Sequence, residues 1–153
     1  MRSIPERLYK KMLLSVKNLA THFHAGPGRI ARAVDGVSFD LKQGKTLALV
    51  GESGCGKTQT AFSIMQLIAE NGYHPSGEIF FEDKDLSKMD QEGMRHLRGN
   101  DIAMIFQEPM TSLNPLFRIG DQLQEPLKQH LKVSQGASRK RAIELLDRVG
   151  IPD

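Results

Sequence analysis

The sequence predicts an α/β fold with a mixed sheet, on three observations. Two nearly continuous apolar runs, residues 46–50 and 102–106, have the character of strands covered on both faces, as in a parallel sheet flanked by helices. A glycine-rich loop, residues 51–56, joins the first run to a segment with helical periodicity. Ahead of both, residues 14–41 supply strands with polar residues among the apolar ones, the pattern of strands buried on one face.

Composition narrows the classes. The chain has 153 residues, 39% hydrophobic and 25% charged, which excludes a disordered tail, a collagen-like chain and a coiled coil. No apolar run approaches the roughly 20 residues that span a bilayer. Net charge is +3, from 21 Lys and Arg against 18 Asp and Glu, and with two Tyr and no Trp no nucleic-acid partner is expected. The lone cysteine, Cys55, excludes an internal disulfide or a cysteine-based zinc site and fits a reducing, cytoplasmic setting. Residues 1–11 form a basic extension without a signal-peptide core, and Met12 is an alternative start.

The elements follow in order. Residues 14–23 read as a strand and the cluster His24-Ala25-Gly26-Pro27-Gly28 as a turn. Residues 33–41 form a second strand, in which Val37, Phe39 and Leu41 alternate with Ser38 and Asp40. After the glycine-rich loop, Ala61, Ile64, Met65 and Ile68 share one helical face, and Asn71-Gly72 ends that helix. Residues 77–81 are a short strand and residues 90–98 a short helix. Residues 119–131 are helical, with Pro126 expected to break or kink them. Ser138 is the expected N-cap of a last helix, whose stripe is Ala142, Leu145, Leu146 and Val149 and whose end is Gly150. His22 and His24 read as solvated loop residues and not as metal ligands.

The strongest chemical signal is Gly51-Glu52-Ser53-Gly54-Cys55-Gly56-Lys57-Thr58, a match to G-x-x-x-x-G-K-[ST] between an apolar run and a helix. Glycines let backbone N–H groups approach phosphate oxygens, and the helix N-terminus adds partial positive charge. Lys57 supplies a point charge for the β- and γ-phosphates, and the Thr58 hydroxyl suits Mg²⁺. Cys55 reads as a small loop residue whose backbone faces phosphate, so that Cys55→Ser should retain ATP binding.

A second motif is more specific: Phe106-Gln107-Glu108-Pro109-Met110-Thr111-Ser112-Leu113-Asn114-Pro115. With it, the chain resembles the ATPase subunits of ABC transporters, in particular those of oligopeptide, dipeptide and nickel importers. The segments Val34-Asp35-Gly36-Val37-Ser38-Phe39, Lys57-Thr58-Gln59-Thr60-Ala61 and Leu145-Leu146-Asp147-Arg148-Val149-Gly150-Ile151-Pro152 carry the same resemblance, which covers residues 12–153.

The resemblance implies an ABC-type phosphate-loop ATPase that binds ATP and Mg²⁺ through Gly51, Glu52, Ser53, Gly54, Cys55, Gly56, Lys57, Thr58 and Gln59, with Phe23 stacked on adenine. It makes Lys57 and Gln107 the catalytic residues present, and Thr58 and Gln107 the residues toward Mg²⁺; Gln107 would be the Q-loop glutamine that links nucleotide to the membrane subunits. It divides the chain into a basic extension (1–11), an incomplete ATP-binding core (12–108) and the beginning of a helical subdomain (109–153), and it implies that the strands over residues 14–41 form an N-terminal antiparallel part of the sheet.

It also implies a signature loop of the Leu-Ser-Gly-Gly-Gln kind, an apolar strand ending in Asp-Glu and a switch histidine, none of which the sequence contains. The chain therefore reads as the N-terminal part of a longer ATPase subunit, truncated before the signature loop. Expressed alone, such a chain is expected to be poorly stable or to aggregate, to bind nucleotide weakly and to show negligible hydrolysis. The parent would work as a head-to-tail pair with an identical or homologous ATPase subunit. It would drive two membrane permease subunits from the inner face of the cell membrane, served indirectly by an extracytoplasmic solute-binding protein. Peptides or nickel are the implied cargo. Two other classes stay open on the residues alone: a soluble phosphate-loop kinase or GTPase, though no Asn-Lys-x-Asp reads guanine here, and a non-catalytic regulatory fragment.

Overall fold

The computed structural model describes residues 12–107 and 112–151. The chain divides into two compact units, one ending at Met94 and the other beginning at Arg95.

The first unit is built on a four-stranded antiparallel sheet in the order β2-β1-β3-β4. Strand β1 (Met12–His24) pairs with β2 (Ile30–Lys42) from Met12 opposite Lys42 to His24 opposite Ile30. A tight turn joins them, closed by the Ala25 N–H on the Arg29 carbonyl at 2.9 Å. The other edge of β1 pairs with β3 (Gly72–Phe81), from Leu14 opposite Phe81 to Phe23 opposite Gly72. The first strand in the sequence is therefore central in the sheet, and its consecutive buried residues Leu19, Ala20 and Thr21 record that. A bulge at Asn18, with φ 46°, breaks its two-residue period; the Asn18 N–H donates to Ser38 Oγ and Ser76 Oγ donates to the Asn18 carbonyl. Both strands run a few residues longer than their apolar pattern predicts, because ladder bonds continue through polar residues on the solvated face.

Helix α1 (Lys57–Ile64) follows the glycine-rich loop. It stops well before the predicted Asn71-Gly72. Gln66 takes φ 51°, its N–H donates to the Ser63 carbonyl at 3.1 Å, and the Leu67 N–H donates to the Phe62 carbonyl at 2.8 Å. That pair of bonds is the left-handed helix stop usually made by glycine. The Gln66 side-chain amide donates to the Leu86 carbonyl and so holds this strained residue in place. Strand β4 (Lys84–Asp85) and a 3₁₀ turn (Leu86–Lys88) close the sheet, and α2 (Gln91–Leu97) starts where the Asp90 carboxylate accepts the Gly93 N–H at 2.8 Å. Val16, Leu19, Val34, Met65, Ile79, Leu86 and Met94 form the core of this unit.

The second unit holds α3 (Ile119–Leu131) and α4 (Gln135–Arg148). Helix α3 runs on through Pro126, contrary to the predicted break; the proline is exposed, so water can take the Gln122 carbonyl that it leaves unbonded. The N-cap of α4 is Ser134, whose hydroxyl accepts the Ala137 N–H, and not the predicted Ser138. Ser138 is fully buried inside the helix and donates to Gln124 Oε1 of α3 at 3.0 Å. Helix α4 ends at Gly150 as predicted, with φ +79° and the Ile151 N–H on the Leu146 carbonyl. Of its predicted stripe, Ala142 is buried and Leu145 and Leu146 are half-buried, while Val149 is exposed.

The two apolar runs depart most from expectation. Residues 45–50 form no strand, and Val50 is 92% exposed. Residue 102 makes only an isolated bridge to Arg98, residues 103–106 form no strand, and Ile105 is 97% exposed. A strand needs a laddered neighbour, and no other strand of the described residues lies beside either run.

Candidate functional site

The phosphate-loop residues are contiguous and lie in the first unit, between residue 50 and α1. Gly54 and Gly56 both take left-handed φ, +80° and +93°. Gly56 is the more constrained: a Cβ there would stand 2.2 Å from the Ala33 carbonyl oxygen of β2, so the loop presses directly on the sheet backbone.

Gly56 is also the N-cap of α1. No side chain caps that end, and no acidic residue stands in its first turn. Among the described residues, its N–H groups and partial positive charge are thus presented without a capping side chain or a first-turn carboxylate to answer them. The Lys57 ammonium folds back over the loop, donating to the Gly51 carbonyl at 2.9 Å and the Glu52 carbonyl at 2.7 Å, with Cys55 Sγ 3.5 Å away. Glu52, Ser53, Cys55 and Thr58 are exposed, and Gln59 is half-buried. Uncapped N–H groups, left-handed glycines and an adjacent ammonium fit a chain of phosphates, and the exposed Thr58 hydroxyl fits a hard cation beside them.

Phe23 is half-buried at the end of β1, its ring lying over Gly72, where a Cβ would be 2.7 Å from the ring carbon Cε1. Beside it, His22 and His24 lie in strand β1 and not in the predicted loop; His24 is exposed as expected, while His22 is half-buried. His24 stacks on Tyr73 with ring centres 5.0 Å apart, and His22 meets the same ring edge-on, its Nε2 buried without a hydrogen-bond partner among the described residues. The periodicity of β1 hid these contacts, since the partner ring comes from β3. Gln107 belongs to the second unit and is exposed; of the ten-residue motif around it, residues 108–111 lie outside the described residues.

The structure adds two residues that no motif marks. Thr21 of β1 and Ser63 of α1 are fully buried, and their hydroxyl oxygens are 2.7 Å apart. Ser63 Oγ also donates to the Gln59 carbonyl at 2.6 Å, and Thr21 Oγ1 lies 3.1 Å from His74 Nδ1. The strand carrying Phe23 and the helix carrying Thr58 and Gln59 are thus joined by side chains inside the first unit.

A glycine loop wrapped on an antiparallel sheet, opening into an uncapped helix with lysine first in line, defines a phosphate-loop nucleotide-binding protein. The class narrows further, because the sequence profile of the ABC transporter family matches residues 34–153, and the chain belongs to that family. The kinase or GTPase alternative is not favoured. Among curated relatives, the dipeptide transport ATP-binding protein DppD of Lactococcus lactis subsp. cremoris is 48% identical over 145 residues, covering 94% of this chain and 41% of its own length. The oligopeptide transport ATP-binding protein OppD of Bacillus subtilis is 51% identical over 141 residues, covering 92% and 39%. This chain therefore spans about two fifths of the length of those relatives.

Among solved structures, a post-hydrolysis dimer of an ATP-binding cassette bound to ADP and phosphate superposes with a TM-score of 0.71 at 24% identity, over 88% of this chain and 56% of that one. The cbiO1 protein of Clostridium perfringens, part of the cbiONQ ABC transporter complex, gives 0.61 at 24% identity over 92% and 51%. These likenesses establish the fold: that of an ABC ATPase cassette, of which the antiparallel sheet and helices here cover a part.

Proposed function

We propose that this chain is the ATP-holding part of an ABC ATPase subunit that powers import of di- and oligopeptides. The observation that carries it is the uncapped start of α1 with Lys57 beside it, in a chain about half identical to DppD and OppD proteins. The β- and γ-phosphates of ATP would exchange with the Gly51 and Glu52 carbonyls for the Lys57 ammonium, while the N–H groups of the loop and of Lys57, Thr58 and Gln59 hold the oxygens. Thr58 and Gln107 are the residues of this chain that would face Mg²⁺, which when bound neutralises the charge that develops on the phosphates. Phe23 would offer its ring to adenine.

In this reading residues 12–108 belong to the ATP-binding core and 109–153 open a helical subdomain. The whole protein would pair with a second ATPase subunit and contact two permease subunits at the cytoplasmic face of the membrane. Among the described residues no helix is long and apolar enough to cross a membrane.

The test is a titration of the chain with a fluorescent ATP analogue and Mg²⁺. Binding is expected, and Lys57→Ala should weaken it about 100-fold, the effect of removing a charge-assisted contact. Absence of binding by a chain that is folded by circular dichroism and monomeric by light scattering, or equal affinity in the variant, overturns the nucleotide reading. In the source cell, the same substitution should abolish uptake of a labelled dipeptide. Unchanged peptide uptake overturns the cargo, and loss of nickel uptake in its place moves it to nickel.

A further inference from the structure

The hydroxyls of Thr21 and Ser63 form, with their neighbours, a chain of hydrogen bonds that has one consistent direction. Ser63 has a single hydroxyl proton, and it is spent on the Gln59 carbonyl at 2.6 Å. Thr21 must then donate across the 2.7 Å contact to Ser63 Oγ. Its own oxygen is left to accept, and His74 Nδ1 stands 3.1 Å away. That nitrogen also lies 3.3 Å from the Ala20 carbonyl, which can only accept, so Nδ1 carries the proton. The order runs from His74 to Thr21 to Ser63 to the Gln59 carbonyl, and every proton is placed.

This chain begins on β3, crosses β1 two residues before Phe23 and ends on a backbone group in the first turn of α1. Both hydroxyls are fully buried, so each would be costly to leave unpaired, and the bonds therefore hold geometry and do not merely decorate it. A second bond of the same kind, Thr60 Oγ1 to the Gly56 carbonyl at 2.9 Å, braces the preceding part of the helix start.

We propose that Thr21 and Ser63 are positioning residues that fix the distance between the phosphate-holding turn and the strand that presents Phe23 to the base. The proposal rests on the nucleotide reading above. It implies that the pair matters for a ligand that engages both ends and not for one that engages the loop alone.

The test compares ATP with inorganic triphosphate, each with Mg²⁺, on the full chain. Thr21→Val should weaken ATP about tenfold, the range of one misplaced hydrogen bond, and change triphosphate affinity by less than about twofold. Thr21→Ser keeps the hydroxyl and should restore ATP affinity. If Thr21→Val does not fold, Ser63→Ala, which leaves β1 intact, carries the same comparison. Equal losses for both ligands, or a Thr21→Ser variant as weak as Thr21→Val, overturn the positioning role and make the pair a general brace. A native chain that binds triphosphate and ATP equally removes the base contact, and the proposal with it. A native chain that binds neither overturns the nucleotide reading itself.

Discussion

At Gly56 two demands meet: a left-handed φ and a carbonyl oxygen where a side chain would begin. Gly56→Ala should cost about 2–3 kcal/mol from backbone strain, with displacement from the Ala33 carbonyl added, readable as a lowered urea midpoint. Gly136, in the first turn of α4 with open space around it, is the contrast. There, replacement by alanine should stabilise by about 0.5–1 kcal/mol. Asp85 makes a pH-dependent contribution. Burial pushes its carboxyl up, but hydrogen bonds from Lys88 and Ser87 and the Lys88 charge outweigh that and hold it below the usual carboxylate range. A depressed folded-state pKa means that the stabilisation is present above the unfolded pKa of about 3.9 and is lost as pH falls through the folded value. Acid unfolding followed from pH 5 downward should therefore be less steep in Asp85→Asn, which removes this titration.

At the scale of elements, α3 and α4 are coupled through one buried polar pair. Ser138→Ala would leave Gln124 Oε1 buried without its α4 donor, at about 1–3 kcal/mol in a urea melt, and Gln124→Leu combined with it should cost less than the two singles added. Which elements the sequence announced follows from the same local logic. β1, β2, α2, α3 and α4 were legible because their signals are local: apolar residues spaced among polar ones, and Gly150 at a helix end; the caps were not, since Ser134 and not Ser138 starts α4. The phosphate loop was legible because its glycines have few other uses. The stop of α1 was not, since Gln66 fills a glycine's role only because its amide reaches Leu86, twenty residues on. The runs at 46–50 and 102–106 misled for a related reason: apolarity records a need for burial and says nothing of which neighbour meets it. Thr21 and Ser63 left no signal at all, because a buried Thr and a buried Ser look like any others until their oxygens are 2.7 Å apart.

At the scale of the molecule, each unit leaves several large apolar side chains in solvent, of which Val50 is the most exposed in the first and Ile105 in the second. The 153-residue chain should bind a hydrophobic dye and self-associate at micromolar concentration, and Val50→Ser with Ile105→Ser should reduce both in light scattering and dye fluorescence. An unaltered monomer by both measures would count against this. The order of the strands has a further effect, on opening rates. The β1–β2 hairpin is closed by a short turn and can form alone, whereas β1 meets β3 only after the chain has travelled through residues 43–71. That excursion contains the whole phosphate loop and α1, and its closure carries the larger entropy cost. A ligand seated in the loop adds its binding energy to the enclosed segment, so opening the β1–β3 seam would require releasing it. In hydrogen exchange, the amides of β3 should slow when ATP is present, while those at the outer edge of β2 should hardly change.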